Sequence, residues 1–261
     1  QTFNFNIQRM LPGNMLFEIG YLGTLGHKLT VTGTRTINQV DPAVMRAGNV
    51  QALRPFPQFS DVREHSPTIG NSNYHGTNIK LEKRFSKGFQ FGMNYTWSKM
   101  IDDVNSRNEL GASNALANFY NRRADRGLSG NHDGHRYIGN TVYELPVGKG
   151  KAIHIGNPVL DAIAGGWSTG LILEFRTGVP FGVVENNPAT IYNTAAAVRS
   201  NATGPYADNP NWRANVLSQT YFDSSIFVAP PALTFGTLGR AVATGPGALI
   251  GDLSVLKDFT M

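Results

Sequence analysis

The sequence predicts an all-β fold, a fragment of an antiparallel transmembrane β-barrel with about seven strands and long extracellular loops. Only 16% of the 261 residues are charged, and the mean hydropathy is still slightly negative, which fits apolar residues alternating with uncharged polar ones. The 29 glycines and 14 prolines indicate many turns. No run reaches the ~20 apolar residues of a membrane-spanning helix, whereas a barrel strand needs about 9 to 11 residues with one apolar face.

The composition also excludes several classes of site. The chain has no cysteine, so it has neither disulfides nor thiolate metal ligands. Its net charge is +5, but the 23 Lys and Arg residues occur singly and in short pairs rather than in one basic patch. We therefore expect no nucleic-acid partner and no cofactor.

Two predicted strands open the chain as a hairpin. In both, large apolar residues alternate with polar or small ones, which is the period of a strand with two unlike faces. The apolar positions are Phe3, Phe5, Ile7, Met15, Phe17, Ile19 and Tyr21. Residues 11–14 (LPGN) supply the turn, and Glu18 falls on the polar face.

The third and fourth predicted strands carry the clearest alternation. Residues 75–85 place Ile79, Leu81 and Phe85 on one face and Lys80, Glu82 and Arg84 on the other. After a hairpin turn at 86–88 (SKG), every second residue is large and apolar, namely Phe89, Phe91, Met93, Tyr95 and Trp97. A sandwich core would not accept three charges in a row, so we expect the charged row to face water and the aromatic row to face lipid.

Three further strands are predicted. Residues 137–145 form a weaker one. The next strand covers residues 167–176. One face carries large or β-branched residues, namely Trp167, Thr169, Leu171, Leu173 and Phe175, and the opposite face ends in the charged residues Glu174 and Arg176. The last strand carries Leu253, Val255 and Phe259 on its apolar face.

The links between these strands alternate in length. Short links follow the first, third and fifth strands (residues 11–14, 86–88 and 147–166), and long links follow the others (roughly 23–72, 100–135 and 178–251). Outer-membrane barrels have short periplasmic turns and longer extracellular loops. We expect the long links to be extracellular and to include short helices, for example near residues 114–123.

Two sets of residues are candidates for function. The first faces the lumen in this prediction, where it either contacts a passing ligand or a plug, or forms an ion-pair ladder that satisfies itself. Its members are Glu18, Lys80, Glu82, Arg84, Glu174 and Arg176. The second set is an aromatic girdle at the membrane–water interface, formed by Tyr21, Tyr95, Trp97 and Trp167.

Two other groupings suggest chemistry but have a simpler explanation. His132, Asp133 and His135 include metal-ligand types, yet they lie where a loop meets a strand and polar residues cap the rim. The pair Asp102 and Asp103 could serve acid–base catalysis, but carboxylates after a strand more often begin a turn. We expect no catalytic residue, no metal site and no enzymatic activity.

Several short motifs resemble the barrel of Oar-like TonB-dependent outer-membrane receptors, the carboxypeptidase-regulatory-like domain family. The motifs follow the family's order over nearly the whole chain. They are RPFPQF (54–59), SNYH (72–75), LEKRFSKG (81–88), NYTWSK (94–99) with IDD (101–103), YELP (143–146) with GKG (148–150), and GPG (245–247) before DLS (252–254).

The resemblance implies a 22-stranded barrel with an N-terminal plug. It also implies a periplasmic energy-coupling protein, outer-membrane lipid around the barrel, and an unidentified transported ligand too large for porins. On this basis we expect residues 1–261 to be a partial barrel domain that lacks the plug, the coupling segment and the final strands. A passive porin-like barrel and a soluble β-sandwich or surface adhesin are the alternatives.

Overall fold

The structure is a computed structural model that describes residues 1–31, 34–104, 117–185, 198–214, 217 and 220–259. In this part of the chain, seven long strands form one antiparallel sheet in which each strand pairs with the next along the sequence. They are β1 (Thr2–Leu11), β2 (Met15–Leu29), β3 (Gly70–Ser86), β4 (Phe89–Asp102), β5 (His135–Glu144), β6 (Trp167–Arg176) and β7 (Ala248–Lys257). The all-β prediction is confirmed.

Several strands are longer than the alternation indicates. β2 runs to Leu29, β3 begins at Gly70 and β4 ends at Asp102, so these three strands extend past the ends of β5 and β6. The added residues include polar and small ones on both faces, and for that reason a two-residue period cannot be recognised in them. The extension shortens the first long connection to residues 30–69.

The two tight hairpins form where the sequence supplies residues that tolerate positive φ. Lys87 and Gly88 have φ values of 52° and 76°, which is the pattern of the two-residue turns that suit twisted strands. Gly13 and Asn14 have φ values of 82° and 59° in the first hairpin. A Cβ on Gly88 would also meet the carbonyl oxygen of Glu144 at 3.2 Å.

A bulge interrupts β3 just before its turn. Lys83 pairs with Phe91 and Ser86 pairs with Phe89, so two residues, Arg84 and Phe85, lie opposite the single residue between those partners. Strict alternation therefore ends at Lys83. The placement of Arg84 on the charged face and of Phe85 on the aromatic face, which rested on that alternation, stays a prediction.

The third short connection contains a helix that the sequence pattern did not indicate. Helix α1 (Pro158–Ala164) begins after Asn157, whose side chain accepts hydrogen bonds from the backbone N–H groups of Val159 and Leu160. Pro158 occupies the first turn, where its missing N–H costs nothing. With seven residues, α1 is too short to show a helical period in the sequence.

The long connections contain short paired segments and single helical turns. The paired segments are Thr34–Thr36 with Arg63–His65, Gly127–Leu128 with the end of β4, Pro180–Phe181 with Ala243–Thr244, Val184–Glu185 with Val198–Arg199, and Asn201–Ala202 with Phe227–Val228. The 3-10 turns are Val50–Leu53, Arg122–Asp125, Trp212–Ala214 and Ser224–Ile226. The helix expected near residues 114–123 falls partly outside the described residues, and only Arg122–Asp125 overlaps it. No helix in the described ranges is long and apolar enough to cross a membrane.

The most deeply buried side chains lie in these connections and not in the sheet. The largest ones with almost no exposed surface are Val31, Asn38, Gln39, Val40, Asp125, Pro180, Ser129 and Ser200. All come from residues 30–69, 103–134 and 177–247, whose described parts we call the loop head. Its interior is largely polar, so hydrogen bonds and ion pairs hold it together as much as apolar contacts do.

The hairpin ends descend in equal steps across the sheet. The pair Leu11–Met15, which closes the first hairpin, is aligned through the strand register with Phe91 of β4. The second hairpin closes at Phe89, two residues farther toward the turn end of the sheet. The third closes two residues farther again, where the Leu145 N–H donates to the carbonyl of Trp167. A stagger of one residue per strand implies strands tilted by roughly 35°, from a rise of about 3.4 Å and a strand spacing of about 4.8 Å.

Candidate functional site

The strand register separates the sheet into two unlike faces. One row crosses the sheet through Ile7, Ile19, Ile79, Tyr95, Tyr137, Phe175 and Leu249, and we call this side the apolar face. The adjacent row crosses through Gln8, Glu18, Lys80, Asn94, Ile138, Glu174 and Ile250, and we call this side the polar face. The polar face is most polar on the first four strands.

The structure brings some of the predicted lumen residues together on the polar face. Glu18 lies directly opposite Lys80 on the neighbouring strand. The Lys80 ammonium lies 2.7 Å from the Glu82 carboxylate, and the Glu18 carboxylate accepts a 2.6 Å hydrogen bond from the side-chain amide of Gln8. These polar side chains therefore find ion-pair and hydrogen-bond partners among themselves, as in the ion-pair ladder.

Glu174 and Arg176 lie apart from that ladder, on β6. The Glu174 carboxylate pairs with Arg136 at 3.0 Å, and Arg136 lies directly opposite Arg176. Neither Arg176 nor Arg84 makes an ion pair or side-chain hydrogen bond with the described residues. Arg176 therefore adds a positive charge beside that of Arg136 near the loop end of this face. The two like charges oppose each other, and no carboxylate of the described residues pairs with Arg176.

Gln8 and Arg136 are contacts that the sequence analysis missed. Gln8 follows Ile7 on the first strand, but its hydrogen bond to Glu18 was not predicted. Arg136 lies one residue before the start of the predicted fifth strand, and extending the alternation backwards by one position would have placed it on the same face as Ile138.

On the described strands, the basic residues of the apolar face lie toward the two ends of the sheet. With one residue of stagger per strand, Arg9, Lys83 and Lys257 fall at one level near the turns. His75 and His135 fall at a second level near the loops, and Lys99 lies one residue beyond them. Between these levels the described strands carry no charged residue on this face. The separation of eight residues, about 27 Å along a strand or about 22 Å across the tilted sheet, is close to the ~25 Å apolar band of outer-membrane barrels.

The predicted girdle residues lie near these two levels. Tyr21, Tyr95 and Trp97 are on the apolar face toward the loops, and Trp97 is exposed. Trp167 is at the turn end, where its indole N–H donates a 2.9 Å hydrogen bond to the carbonyl of Ile163 and its ring lies 5.0 Å from the Lys257 ammonium. This distribution is consistent with two aromatic belts, although their contact with lipid stays a prediction.

Two of these tyrosines each contact a histidine in the same way. The Tyr21 hydroxyl lies 2.6 Å from Nδ1 of His75, and the Tyr95 hydroxyl lies 2.7 Å from Nδ1 of His135. In both pairs the rings are stacked. In each pair the two residues are diagonal neighbours on adjacent strands, so the contact can be predicted only when the strand register is known.

Arginines of the loop head pair with buried or half-buried carboxylates. Arg240 lies 2.5 Å from Asp102, Arg199 lies 2.7 Å from Asp125, and Arg122 lies 3.1 Å from Asp103. Burial raises the pKa of Asp125, and the neighbouring Arg199 opposes that rise. Asp102 and Asp103 therefore each have an arginine partner, as residues with a structural role would.

His132, Asp133 and His135 also have structural partners. Nδ1 of His132 accepts a hydrogen bond from the backbone N–H of Met100 at 3.3 Å, and burial lowers the pKa of this histidine. The Asp133 carboxylate accepts a 3.3 Å hydrogen bond from the Thr177 hydroxyl. Among the described residues, no group of three or more His, Asp or Glu side chains is arranged to hold a metal ion.

Comparison of the chain with curated proteins and with solved structures finds no match. A family model described as "outer membrane beta barrel domain" matches residues 1–261. The match agrees with the meander, the two unlike faces and the alternation of turns and loops. The chain therefore belongs to the outer membrane β-barrel domain family and is located in the outer membrane.

Proposed function

We propose that this sheet is part of the wall of a TonB-dependent transporter whose polar face lines the lumen. The outer edges of β1 and β7 pair with no strand in the described part of the chain. In lipid each unpaired backbone group costs several kcal/mol, so further strands are needed to complete the wall. A large barrel of this kind is expected to carry a large, unidentified substrate.

An apolar patch on the polar face carries this proposal. Ile138, Ile172 and Ile250 surround Glu174 on three neighbouring strands, and their exposed fractions are 37%, 53% and 50%. A water-filled channel gains nothing from three exposed isoleucines in one place. A plug inside the barrel would cover them, and an energy-coupling protein in the periplasm would then be required to move it.

A conductance measurement tests the proposal. In planar bilayers, the full-length protein should give no steady ion current, because the plug closes the lumen. Replacing the patch with serine (Ile138→Ser, Ile172→Ser, Ile250→Ser) should weaken plug docking and produce a leak. The matched control, Asn78→Ser with Asn94→Ser on the same face, should remain closed.

A passive porin-like barrel is the second candidate. The Lys80–Glu82 and Arg136–Glu174 pairs favour it, because charges that neutralise each other suit a lumen open to water. A stable ohmic current from the unmodified full-length protein would establish this candidate and rule out the plugged transporter. A soluble β-sandwich is set aside because the family is located in the outer membrane.

A further inference from the structure

A cavity of about 940 Å³ opens at the loop end of the apolar face. Its lining comes from strands β2 to β5 and from residues of the second and third long connections. Five of its lining residues are basic, namely His75, Lys99, Arg126, His132 and His135, and its lining contains no Asp or Glu. Lys99 and Arg126 make this lining positively charged, so the cavity fits an anion.

Two of the basic side chains that line the cavity, Lys99 and Arg126, are available for a ligand. Neither Lys99 nor Arg126 makes an ion pair or a side-chain hydrogen bond with the residues that the structure describes. Lys99 lies directly opposite His75 on the neighbouring strand, so the two groups are close enough to contact the same anion.

The two tyrosine–histidine pairs orient further donors. When the Tyr21 hydroxyl donates to Nδ1 of His75, the proton of that ring is on Nε2, which can then act as a donor. Tyr95 acts in the same way on His135. Trp97 lies directly opposite His135 and adds an exposed aromatic surface between the two histidines.

The position of the cavity selects an amphiphilic ligand. It lies on the apolar face, at the loop end of the stretch of this face that carries no charged residue. An amphiphilic molecule bound there would have its polar headgroup in the cavity and its apolar chains along the strands between the cavity and the turns. We propose that this cavity binds a phosphate-bearing lipid of the outer leaflet, with Lys99, Arg126, His75 and His135 contacting the phosphate. A passive pore would carry the same site, so this inference does not rest on the transport proposal.

Lipid titration of the intact protein in mild detergent tests the inference. Diphosphorylated lipid A and dephosphorylated lipid A are the two probes, and native mass spectrometry measures their dissociation constants. The unmodified protein should bind the diphosphorylated form at least about tenfold more tightly, because hydrogen bonds to charged groups are strong. This comparison needs no variant, so it does not depend on whether a variant folds.

Two double variants then locate the site. Lys99→Gln with Arg126→Gln should abolish the preference for the phosphorylated lipid. Arg9→Gln with Lys83→Gln, which removes two cations from the same face at the turn level, should retain it. The inference is overturned if the unmodified protein shows no preference, or if the first double variant keeps it. It is also overturned if inorganic phosphate displaces the lipid at equal concentration, since the apolar chains would then contribute nothing.

Discussion

Arg240 and Asp102 form a buried ion pair between the third long connection and the end of β4, at 2.5 Å and 138 residues apart in sequence. Their exposed fractions are 4% and 2%. Arg240 also donates to the backbone carbonyl of Asp125 at 3.2 Å, so it reaches the second connection as well. This one guanidinium therefore joins two parts of the loop head to the sheet.

We expect Asp102→Asn to destabilise the loop head by about 3–5 kcal/mol, because it removes the Asp102 carboxylate from beside the buried Arg240 charge. Trypsin cleavage and hydrogen exchange in the connections should increase, while heat-modifiable migration of the barrel on gels stays unchanged. The control is Arg136→Gln, which breaks a more exposed pair and should cost less than about 1 kcal/mol. Equal protease resistance of Asp102→Asn and the unmodified protein would contradict the proposed role.

The second prediction concerns the pH dependence of the segment that His132 holds in place. Burial lowers the pKa of His132 in the folded state, and its Nδ1 must be unprotonated to accept from Met100. The unfolded segment takes up a proton near the ordinary histidine pKa of about 6.5, whereas the folded segment does so only at lower pH. The stability that His132 contributes is therefore complete above pH ~6.5 and is lost as the pH falls below it.

Hydrogen exchange of residues 129–134 measured at pH 7.5 and pH 5.5, after correction for the intrinsic rate, should reveal this loss of protection. His132→Asn keeps an acceptor oxygen but has no group that titrates in this range. Its protection should be the same at both pH values. A loss of protection of the same size in both proteins would show that another group is responsible.

The third prediction assigns the two faces of β3 to lipid and water. The chain has no cysteine, so single cysteines can be introduced and spin-labelled without a background. Labels at Ile79 and Leu81 should be more accessible to oxygen than to a polar nickel reagent, and labels at Asn78 and Glu82 should show the reverse. Oxygen accessibility that does not alternate along the strand would contradict the assignment.

Much of the sheet could be predicted from the sequence, and the reason is local. The alternation between Phe89 and Trp97 reports which face each side chain occupies, and the Lys87–Gly88 turn fixes the register with β3. The loop head could not be predicted, because contacts such as Arg240 with Asp102 join distant residues that share no period. The apolar patch around Glu174 was missed for a related reason, since Ile138 and Ile250 lie in different strands and meet only across β6.

The last prediction concerns α1, whose Val159, Leu160 and Ile163 have exposed fractions of 67%, 55% and 64%. The carbonyl of Ile163 accepts hydrogen bonds from Trp167 at 2.9 Å and from the Lys257 ammonium at 3.3 Å. Both donors belong to the apolar face at its turn level, so the helix is attached where lipid headgroups are expected. Its exposed apolar residues should therefore enter the inner-leaflet interface.

Spin labels at Val159 and Leu160 should show shallow lipid exposure, whereas a label at Lys149 in the same connection should be exposed to water. Replacing Leu160 with aspartate should move the label at Val159 toward water, because burying a charge in the interface is costly. Replacing it with methionine, which is also apolar, should leave that label in lipid. If the labels at Val159 and Lys149 were equally accessible to the polar reagent, α1 would lie in the periplasm, and its apolar surface would need a protein to cover it.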